Sequence, residues 1–390
     1  MRKDVLIAGA GLAGSALAIA LGRRGVSVAL FERAAFPREK PCGEGLMPGG
    51  VTALEELGIS TGSLGAPFHG IRYHFGGHSA AGSFPRESPG ARPGLGVRRR
   101  DLDSALAQLA AETTGVDLRT SVRITGPLFE HGRVAGLLVE DQPVRARLTI
   151  AADGAHSRLR HALGLDVRLR CKRVGMRMHF REPAGALAQS HVEIFMGFGH
   201  ELYVTPLPRG EFLVAALAES SAMHGPAEAQ FARWWQAQPL LADRIRGSEP
   251  AGELLVTSPL TGRASRRVLP GFALLGDAAG FTDPLTGGGM TQALQSARLL
   301  AARLAASPEW NLSTLSAFDR DREALLRDYR RVTAGVLWLS HHPALIAPAL
   351  AVVRAAPRLL THLLAVTGGD RRLLRGSAQP FTFPASARAA

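Results

Sequence analysis

Cysteine is almost absent from this sequence. The 390 residues include only Cys42 and Cys171. No CxxC pair and no nearby HxxxH spacing accompanies either one, which excludes the standard zinc sites, so we expect no metal. The apolar run at the N-terminus is too short for a signal peptide or a membrane span, and the expected compartment is therefore the reduced cytoplasm.

Lysine is nearly as scarce, and the net charge of +13 comes almost wholly from arginine. These arginines are dispersed, and no nucleic-acid motif accompanies them, which argues against a nucleic-acid partner. An acidic cofactor, an acidic substrate or an anionic membrane surface would each account for the excess, as would a genome that favours arginine codons.

The first motif is a glycine-rich turn between an apolar strand and an Ala-rich helix. Gly9, Gly11 and Gly14 form the pattern GxGxxG, with Leu12 and Ala13 inside it. Such a turn lets the backbone approach a pyrophosphate at the N-terminus of a helix. The pattern predicts a dinucleotide site.

An acidic residue ends the second strand of this βαβ unit. Glu32, followed by Arg33, lies 18 residues after Gly14, where a carboxylate is expected to bind a ribose hydroxyl. Because a carboxylate there disfavours a 2′-phosphate, the site suits FAD or NAD better than NADP.

A second glycine-rich helix start follows another buried strand, in the segment "LLGDAAGFTDPLTGGGMTQAL". Its aspartate is well placed to accept from a ribose or ribityl hydroxyl, and its backbone N–H groups can face the ring of a reduced flavin. Two such helix starts, roughly 270 residues apart, favour one extended cofactor held at both ends, which points to FAD. The cofactor residues predicted here are Gly276, Asp277, Gly287, Gly288, Gly289 and Met290.

A third motif, "ADGAHSRLR", ends another apolar strand and carries Asp153, Gly154, Ser157 and Arg160. With all three motifs in this order, the chain resembles the para-hydroxybenzoate hydroxylase-like superfamily of flavoproteins, from residue 4 to roughly residue 330. The resemblance implies FAD as cofactor and NAD(P)H as electron donor. It also implies that the third motif lies near the pyrophosphate, and that Arg99, among three consecutive arginines, reaches the FAD.

The loop "REKPCGEGLMP" at residues 38–48 is more like the geranylgeranyl reductase branch of that superfamily, where KxCG follows the second strand. The loop is expected to pass the flavin ring, with Lys40, Cys42 and Gly43 close to the cofactor. In a reductase Cys42 is the natural proton donor, which makes it the candidate catalytic residue. In a monooxygenase Cys42 would only fill space, and that interpretation is preferred.

The order of elements predicts an α/β fold with a Rossmann-like FAD-binding domain and a second, mostly antiparallel sheet. The discontinuous FAD-binding domain is expected to cover residues 1–70, 96–170 and 256–330. The substrate-binding domain takes residues 71–95 and 171–255. Residues 331–390 form a helical C-terminal segment, in which Pro343, Pro348 and Pro357 are expected to break the helices.

Substrate contacts are expected from the second sheet and from the turn at Pro284. Alternation places His191, Glu193 and Phe195 on one face of a strand. The sequence leaves open which face looks at the flavin. The candidate substrate residues are His191, Glu193, Phe195, Tyr203 and Pro284.

The apolar segment 336–353 contains two prolines and two histidines in a run barely long enough for a membrane span. Helices packed on the core are the favoured interpretation, with a lid or peripheral membrane association as the alternatives. A monomer or a dimer is expected.

These features predict an FAD-dependent oxidoreductase, and three activities compete for it. A monooxygenase acting on a lipophilic aromatic or polyketide-type molecule of secondary metabolism is preferred, and an isoprenoid double-bond reductase is the alternative. A halogenase is disfavoured because the four tryptophans do not form WxWxIP. A flavin-binding protein without turnover is disfavoured by the intact motifs.

Overall fold

The computed structural model describes residues 3–85, 91–167, 173–183, 189–258, 260, 262–369 and 371–373. Cys171 lies outside these ranges. The helices are α1 Leu12–Gly22, α2 Pro48–Glu56, α3 Arg99–Glu112, α4 Arg158–Ala162, α5 Ala227–Gln236, α6 Pro239–Arg246, α7 Gly289–Ala305, α8 Leu312–Ser340, α9 Pro343–Ala355 and α10 Pro357–Thr367.

The strands form two large sheets and two small ones. They are β1 Lys3–Ala8, β2 Val28–Phe31, β3 Gly45–Leu46, β4 Ala66–Phe68, β5 Gly70–Phe75, β6 His78–Ser83, β7 Gly94–Gly96, β8 Val116–Arg119, β9 Ile124–Glu130, β10 Arg133–Val139, β11 Gln142–Ala151, β12 Arg173–Arg181, β13 Val192–Met196, β14 His200–Pro206, β15 Glu211–Glu219, β16 Glu249–Pro250, β17 Leu255–Thr257, β18 Gly262–Arg263, β19 Val268–Leu269, β20 Phe272–Leu274 and β21 Gly280–Phe281.

The first large sheet has the order β19-β20-β11-β1-β2-β8, with β10 and β9 attached at β11. Pairing along β20, β11, β1, β2 and β8 is parallel. Every residue of α1 is buried, because this Ala-rich helix is enclosed between the sheet and α7 in one apolar core. The carboxyl ends of the parallel strands therefore bring the first and second glycine-rich turns to one edge.

The second large sheet has the order β16-β12-β15-β14-β13-β5-β6, with β17 paired to β12. Only β13 and β5 pair in parallel. Together the two sheets and the helical C-terminal region confirm the predicted fold class. Since β17 belongs to this sheet, the sheet extends past the predicted domain boundary at residue 256.

The two faces of the second sheet pack against different helices. One face, with Phe195, Leu202 and Val204, packs against α5 and α6. The other face looks toward loop 38–48 and the turn before α7, and we call it the loop-side face. Apolar side chains of this face pack with side chains of α8, α9 and α10 in one buried group, which we call the apolar cluster. It consists of Met47, Phe68, Ile71, Tyr73, Phe75, Ala80, Phe84, Val192, Ile194, Met196, Tyr203, Leu339, Ile346, Leu350, Val353, Leu360 and Leu364.

The C-terminal helices cover part of the apolar cluster. Pro343 and Pro357 each occupy the first helical position of α9 and α10, but the expected break at Pro348 is wrong. Pro348 lies inside α9 just after its first turn, where its missing N–H removes a single intrahelical bond. Among the residues that the structure describes, no single helix is long and apolar enough to cross a membrane, and α9 and α10, bent by 102°, reach that threshold only as a pair.

Candidate flavin site

The turn at Gly9 leaves no room for side chains. Gly9 has φ of +103°, and a Cβ atom on it would lie 2.4 Å from the carbonyl oxygen of Ala152. A Cβ atom on Gly14 would lie 1.9 Å from the carbonyl oxygen of Gly9. At Gly11 the nearest atom is a guanidinium nitrogen of Arg38, 3.7 Å from such a Cβ. The protein therefore leaves no room for a side chain at Gly9 or Gly14, whereas Gly11 faces the guanidinium of Arg38.

Glu32 is buried at the end of β2 and is fixed by the backbone. Its carboxylate accepts from the N–H of Ala10 at 3.1 Å and from the N–H of Ala34 at 3.2 Å. Arg38 lies 3.4 Å from the same carboxylate. Arg33, by contrast, is exposed, so the structure does not bring its side chain into this group.

Three consecutive arginines begin α3, and only the middle one is inside. Arg99 is buried and makes a bidentate ion pair with Asp103, at 2.9 to 3.1 Å. Burial alone would lower the pKa of Arg99, but Asp103 and Cys42 together raise it. Arg98 pairs with Glu211 at 2.7 Å, and Arg100 is exposed.

Lys40, in the loop at residues 38–48, lies close to the third motif and to the turn that carries Asp277. Its ammonium would lie 3.6 Å from a Cβ atom on Gly154. Burial and the neighbouring Arg99 lower the pKa of Lys40, whereas Asp277 and Asp103 act in the opposite direction. Lys40, Gly154 and Asp277, from three separate motifs, therefore share one region.

The third motif anchors its own helix and leaves one carboxylate oxygen unused. Asp153 accepts from the N–H of Leu159 at 3.3 Å through Oδ2, while its Oδ1 is buried without a hydrogen-bond partner among the described residues. Burial raises the pKa of Asp153, with Ser157 opposing the shift. Ser157 caps α4 by accepting from the N–H of Arg160 at 3.0 Å.

Arg160 acts as a connector between motifs. Its guanidinium donates to the carbonyl oxygens of Ala155 at 2.7 Å and Ala278 at 3.0 Å, and to Asp166 at 2.5 Å. All three nitrogens are used by the protein. Arg160 therefore holds the third motif against the turn that carries Asp277.

The second glycine-rich helix start is only partly available to a ligand. The N–H of Gly288 donates to the hydroxyl oxygen of Tyr329 in α8, at 3.2 Å, and a Cβ atom on Gly288 would lie 2.3 Å from the Tyr329 ring. A Cβ atom on Gly287 or Gly289 would meet nothing within 4 Å. Met290 is buried in the core beside α1, so its placement indicates packing. Tyr329 was not found from the sequence, since nothing local connects it to this turn.

A buried ionic network fixes the loop that carries Cys42. Glu44 is fully buried and accepts from the N–H of Arg99 at 3.0 Å and from Nε2 of His179 at 2.7 Å. Arg177 donates to Nδ1 of His179 at 2.8 Å and forms an ion pair with Glu39. The N–H of Glu44 lies 3.4 Å from the Cys42 sulfur.

Sequence reasoning missed this network, although a signal was present. Arg173, Arg177 and His179 occupy alternate positions of β12, and all three are buried on the loop-side face. Period-2 spacing of charged residues in an otherwise apolar strand indicates a polar face in the interior.

Of the predicted substrate residues, three belong to the face of the second sheet that packs under α5 and α6. Alternation along β13 is as predicted, but Phe195 packs in the core under α5 and α6 and stacks on His74 at 4.5 Å. Glu193 shares that face and lies 3.9 Å from His74. His191 immediately precedes β13, and the same alternation assigns it to the face of Glu193 and Phe195. The loop-side face of β13 instead presents Val192, Ile194 and Met196.

Tyr203 and Pro284 do meet at the loop-side face. The Tyr203 hydroxyl donates to the carbonyl oxygen of Leu285, next to Pro284, at 3.0 Å. Two positions on, Thr205 donates to the carbonyl oxygen of Gly43 at 2.8 Å. Strand β14 thus contacts both the turn before α7 and the loop that carries Cys42.

These residues fit a flavin dinucleotide. The two helices that begin at glycine-rich turns, α1 and α7, pack in one shared core. Arg38 and Lys40 supply positive charge for a pyrophosphate. Oδ1 of Asp153 is a buried acceptor without a partner among the described residues. A Cβ atom on Gly43 would meet nothing within 4 Å, and Gly43 is exposed, so the loop is open at this position.

Residues 2–328 match the family described as FAD binding domain. Among curated proteins, the menaquinone reductase of Mycolicibacterium smegmatis is 31% identical over 77% of this chain and 76% of its own length. Digeranylgeranylglycerophospholipid reductase 1 of Methanococcoides burtonii is 26% identical over 78% and 74%. A ubiquinone hydroxylase of Rhodospirillum rubrum is 27% identical over 84% and 76%.

Solved structures share the whole architecture. A flavoprotein/dehydrogenase from Cytophaga hutchinsonii matches with a TM-score of 0.79 and 23% identity, over 95% of this chain and 93% of that one. The flavin-dependent brominase Bmp2 matches with a TM-score of 0.80 and 19% identity, over 98% and 97%. The chain belongs to the FAD-binding family of para-hydroxybenzoate hydroxylase-like flavoproteins and is an FAD-dependent oxidoreductase.

Proposed function

We propose that this protein is an FAD-dependent reductase that saturates a carbon–carbon double bond in the isoprenoid chain of a lipid. The observation that carries the proposal is the position of Cys42. Its thiol interacts with Arg99 in the cofactor region, and the next residue, Gly43, is bonded to the loop-side face of the second sheet. The one thiol of the described residues lies in this loop and packs against the core that contains α1 and α7, next to a residue bonded to the sheet that carries the apolar cluster.

Two named relatives support a lipid substrate. Menaquinone and digeranylgeranylglycerophospholipid both carry isoprenoid chains, and the proteins named for them are reductases. An apolar chain would be matched by the apolar cluster, which is lined by Tyr73, Ile194 and Met196.

When bound and reduced, FAD would supply the hydride chemistry for one alkene carbon, and the other carbon would need a proton. Cys42 would give that proton from its sulfur, and the Arg99 guanidinium would stabilise the thiolate that remains. Solvent water then returns a proton to the sulfur. The apolar cluster excludes water from the alkene, and Glu44 and Thr205 hold the loop in place.

The proposal is tested by anaerobic turnover with NADH or NADPH as the electron donor and a prenylated naphthoquinone as substrate. We expect a product heavier by two hydrogens, measured by mass spectrometry, and no requirement for O₂. A product heavier by one oxygen, formed only in air, would overturn the reductase in favour of a hydroxylase.

A hydroxylase is the second candidate, because the ubiquinone hydroxylase relative covers more of this chain than the two reductases. In that case an electron-rich ring would occupy the apolar cluster, and no proton donor would be required at Cys42. Substitution of Cys42 therefore separates the two functions.

We also propose that the protein binds membrane surfaces through its C-terminal helices. Trp338, Leu345, Val352 and Leu359 are large apolar side chains that are 42% to 58% exposed there. Exposed arginines 354 and 358 lie among them, an arrangement that suits anionic lipid. Co-sedimentation with phosphatidylglycerol vesicles should be strong at low salt and weaker for Val352→Asp, whereas equal sedimentation of both proteins would contradict the proposal.

A further inference from the structure

A cavity of about 220 Å³ opens where the ends of strands β12, β14 and β15 meet the junction of α8 and α9. It is smaller than the 300 Å³ or more that is usual for a complete drug-sized ligand, so it suits part of a molecule. Its polar lining consists of Arg173, Glu201, Glu219, Ser340 and His341.

The floor of the cavity is charged and buried. Arg173 and Glu201 are 2% and 3% exposed and form an ion pair. Arg173 also lies 3.3 Å from Asp283, in the turn before α7. Nε of Arg173 is buried and has no hydrogen-bond partner among the described residues. This N–H of the guanidinium is therefore enclosed by the protein and unpaired among the described residues.

The rim of the cavity adds a second polar pair. His341, at the end of α8, lies 2.5 Å from Glu219 through Nε2, and Ser340 precedes it. Around one guanidinium the protein has placed three carboxylates, those of Glu201, Glu219 and Asp283. The site therefore carries no excess of positive charge.

The apolar cluster begins next to this cavity. Met196 is the cross-strand partner of Glu201, and Leu339 precedes Ser340; both side chains belong to the apolar cluster. Glu201, Tyr203 and Thr205 follow one another on the loop-side face of β14. The four residue steps from Glu201 to Thr205 span about 13 Å of strand. Glu201 lines the cavity and Thr205 contacts the loop that carries Cys42, so this length separates the two.

We propose that this cavity binds the polar head of the lipid substrate, and that the head is neutral and hydrogen-bonding, such as a quinone ring or an alcohol. The inference rests on the proposed lipid reductase activity and specifies its substrate class. The head would sit against Arg173 and Glu201 while the chain runs along the apolar cluster toward Cys42. The distance from the cavity to Cys42 would then decide which double bond lies beside the flavin.

Charge decides between a neutral head and a diphosphate. A diphosphate would meet the carboxylates of Glu201 and Glu219 in the lining and one cation that is already paired with Glu201 and Asp283, which is unfavourable in a partly buried site. A carbonyl or hydroxyl oxygen can accept a hydrogen bond from the Arg173 guanidinium without adding charge. Burial raises the pKa of Glu201 to about 7, so near neutrality part of the population offers a second donor.

The test is equilibrium binding to the oxidised, FAD-loaded protein, with no turnover. The probes are a naphthoquinone with a geranyl side chain and geranyl diphosphate, each followed by the change in flavin absorbance. We expect the quinone to bind at least about tenfold more tightly, which corresponds to about 1.4 kcal/mol. Equal binding, or tighter binding of the diphosphate, would overturn the inference.

Two substitutions locate the binding. Ser340→Phe fills the cavity and should weaken quinone binding by about tenfold or more, whereas Ser313→Phe, at an exposed position of the same helix, should not change it. His341→Ala removes a rim group without adding volume and should weaken binding by about three- to tenfold, the value of one hydrogen bond. If both cavity variants keep wild-type affinity and a normal flavin spectrum, the head binds elsewhere.

The outcome is separable from that of the proposed reaction. Binding is measured without reducing the flavin, so a protein that hydroxylates its substrate would still give the quinone preference and the Ser340→Phe effect. Conversely, a reductase that binds both probes alike would retain its reaction and lose this head-group site.

Discussion

Glu44 and His179 are 135 positions apart in the sequence, and their side chains meet in the interior at 2.7 Å. Glu44 has φ of +55°, an uncommon conformation for a residue with a side chain. Because Arg177 donates to Nδ1 of His179, the proton of a neutral His179 must be on Nε2, pointing at Glu44. One carboxylate thereby joins loop 38–48, the start of α3 and strand β12.

Glu44→Gln is expected to destabilise the protein and loosen the loop. The carboxylate accepts from two buried donors, whereas an amide offers one oxygen and turns its NH₂ toward the other donor. The unsatisfied group should lower the free energy of unfolding by about 1–3 kcal/mol, measured by chemical denaturation of the FAD-loaded protein. Glu39→Gln, at the exposed end of the same network, is the matched control and should cost less. Equal effects of the two would show that Glu44 has no special role.

Gly14→Ala should abolish FAD binding. The added Cβ would fall 1.9 Å from a backbone oxygen in the glycine turn, so the turn itself must move. Gly335→Ala in α8 adds the same atom in open space and should stabilise the protein by about 0.5–1 kcal/mol. Flavin content of the purified proteins is the measurement, and a Gly14→Ala protein with full flavin would refute the close approach.

Cys42→Ser should lower the rate of alkene reduction by about 10²–10⁴, the usual contribution of a positioned acid. Because Cys42 is itself expected close to the cofactor, the rate is compared per bound FAD, with the flavin content of each protein measured alongside. Cys171→Ser is the thiol control and should remain active. A Cys42→Ser enzyme with nearly normal kcat would leave the thiol as a packed residue and strengthen the hydroxylase alternative.

Tyr329→Phe removes the acceptor for the N–H of Gly288 and for the Thr286 hydroxyl. Thr286 keeps Thr333 at 2.7 Å, but the Gly288 N–H is left buried and unpaired. We expect a loss of about 1–3 kcal/mol in unfolding free energy and weaker FAD binding. Tyr73→Phe is the control, since the Tyr73 hydroxyl makes no hydrogen bond among the described residues. Comparable losses for both tyrosines would contradict this account.

Glu201 should make stability depend on pH in a defined direction. Burial raises its pKa from 4.5 to about 7, although Arg173 opposes the shift. A carboxyl whose pKa is raised on folding contributes stability below pH 4.5, and that contribution is lost as the pH rises to about 7. The stability of the wild type relative to Glu201→Gln should therefore fall between pH 4.5 and pH 7 and stay level above. If the stability of the wild type relative to Glu201→Gln instead rose with pH, the pKa of Glu201 would not be raised on folding.

The fold and the cofactor motifs could be predicted because both follow from local patterns. Glycine at Gly14 is dictated by a backbone contact within the turn, and alternation along β13 follows from the period of a strand. The orientation of that strand depends on which helices cover which face, so the sequence left the face open, and the structure places Phe195 on the side under α5 and α6. Tyr329 and His179 act through partners that are 41 and 135 residues away, and neither pairing leaves a local trace.

Strand β14 carries the hydrogen bonds from Tyr203 to Leu285 and from Thr205 to Gly43. These two bonds make the second sheet a common support for the turn before α7 and for the loop that carries Cys42. Any ligand that stiffens this strand also stiffens the cofactor loops, so the two binding equilibria are thermodynamically linked. FAD should raise the affinity for substrate by the same factor by which substrate raises the affinity for FAD, and the apoprotein should be a poor receptor for the lipid.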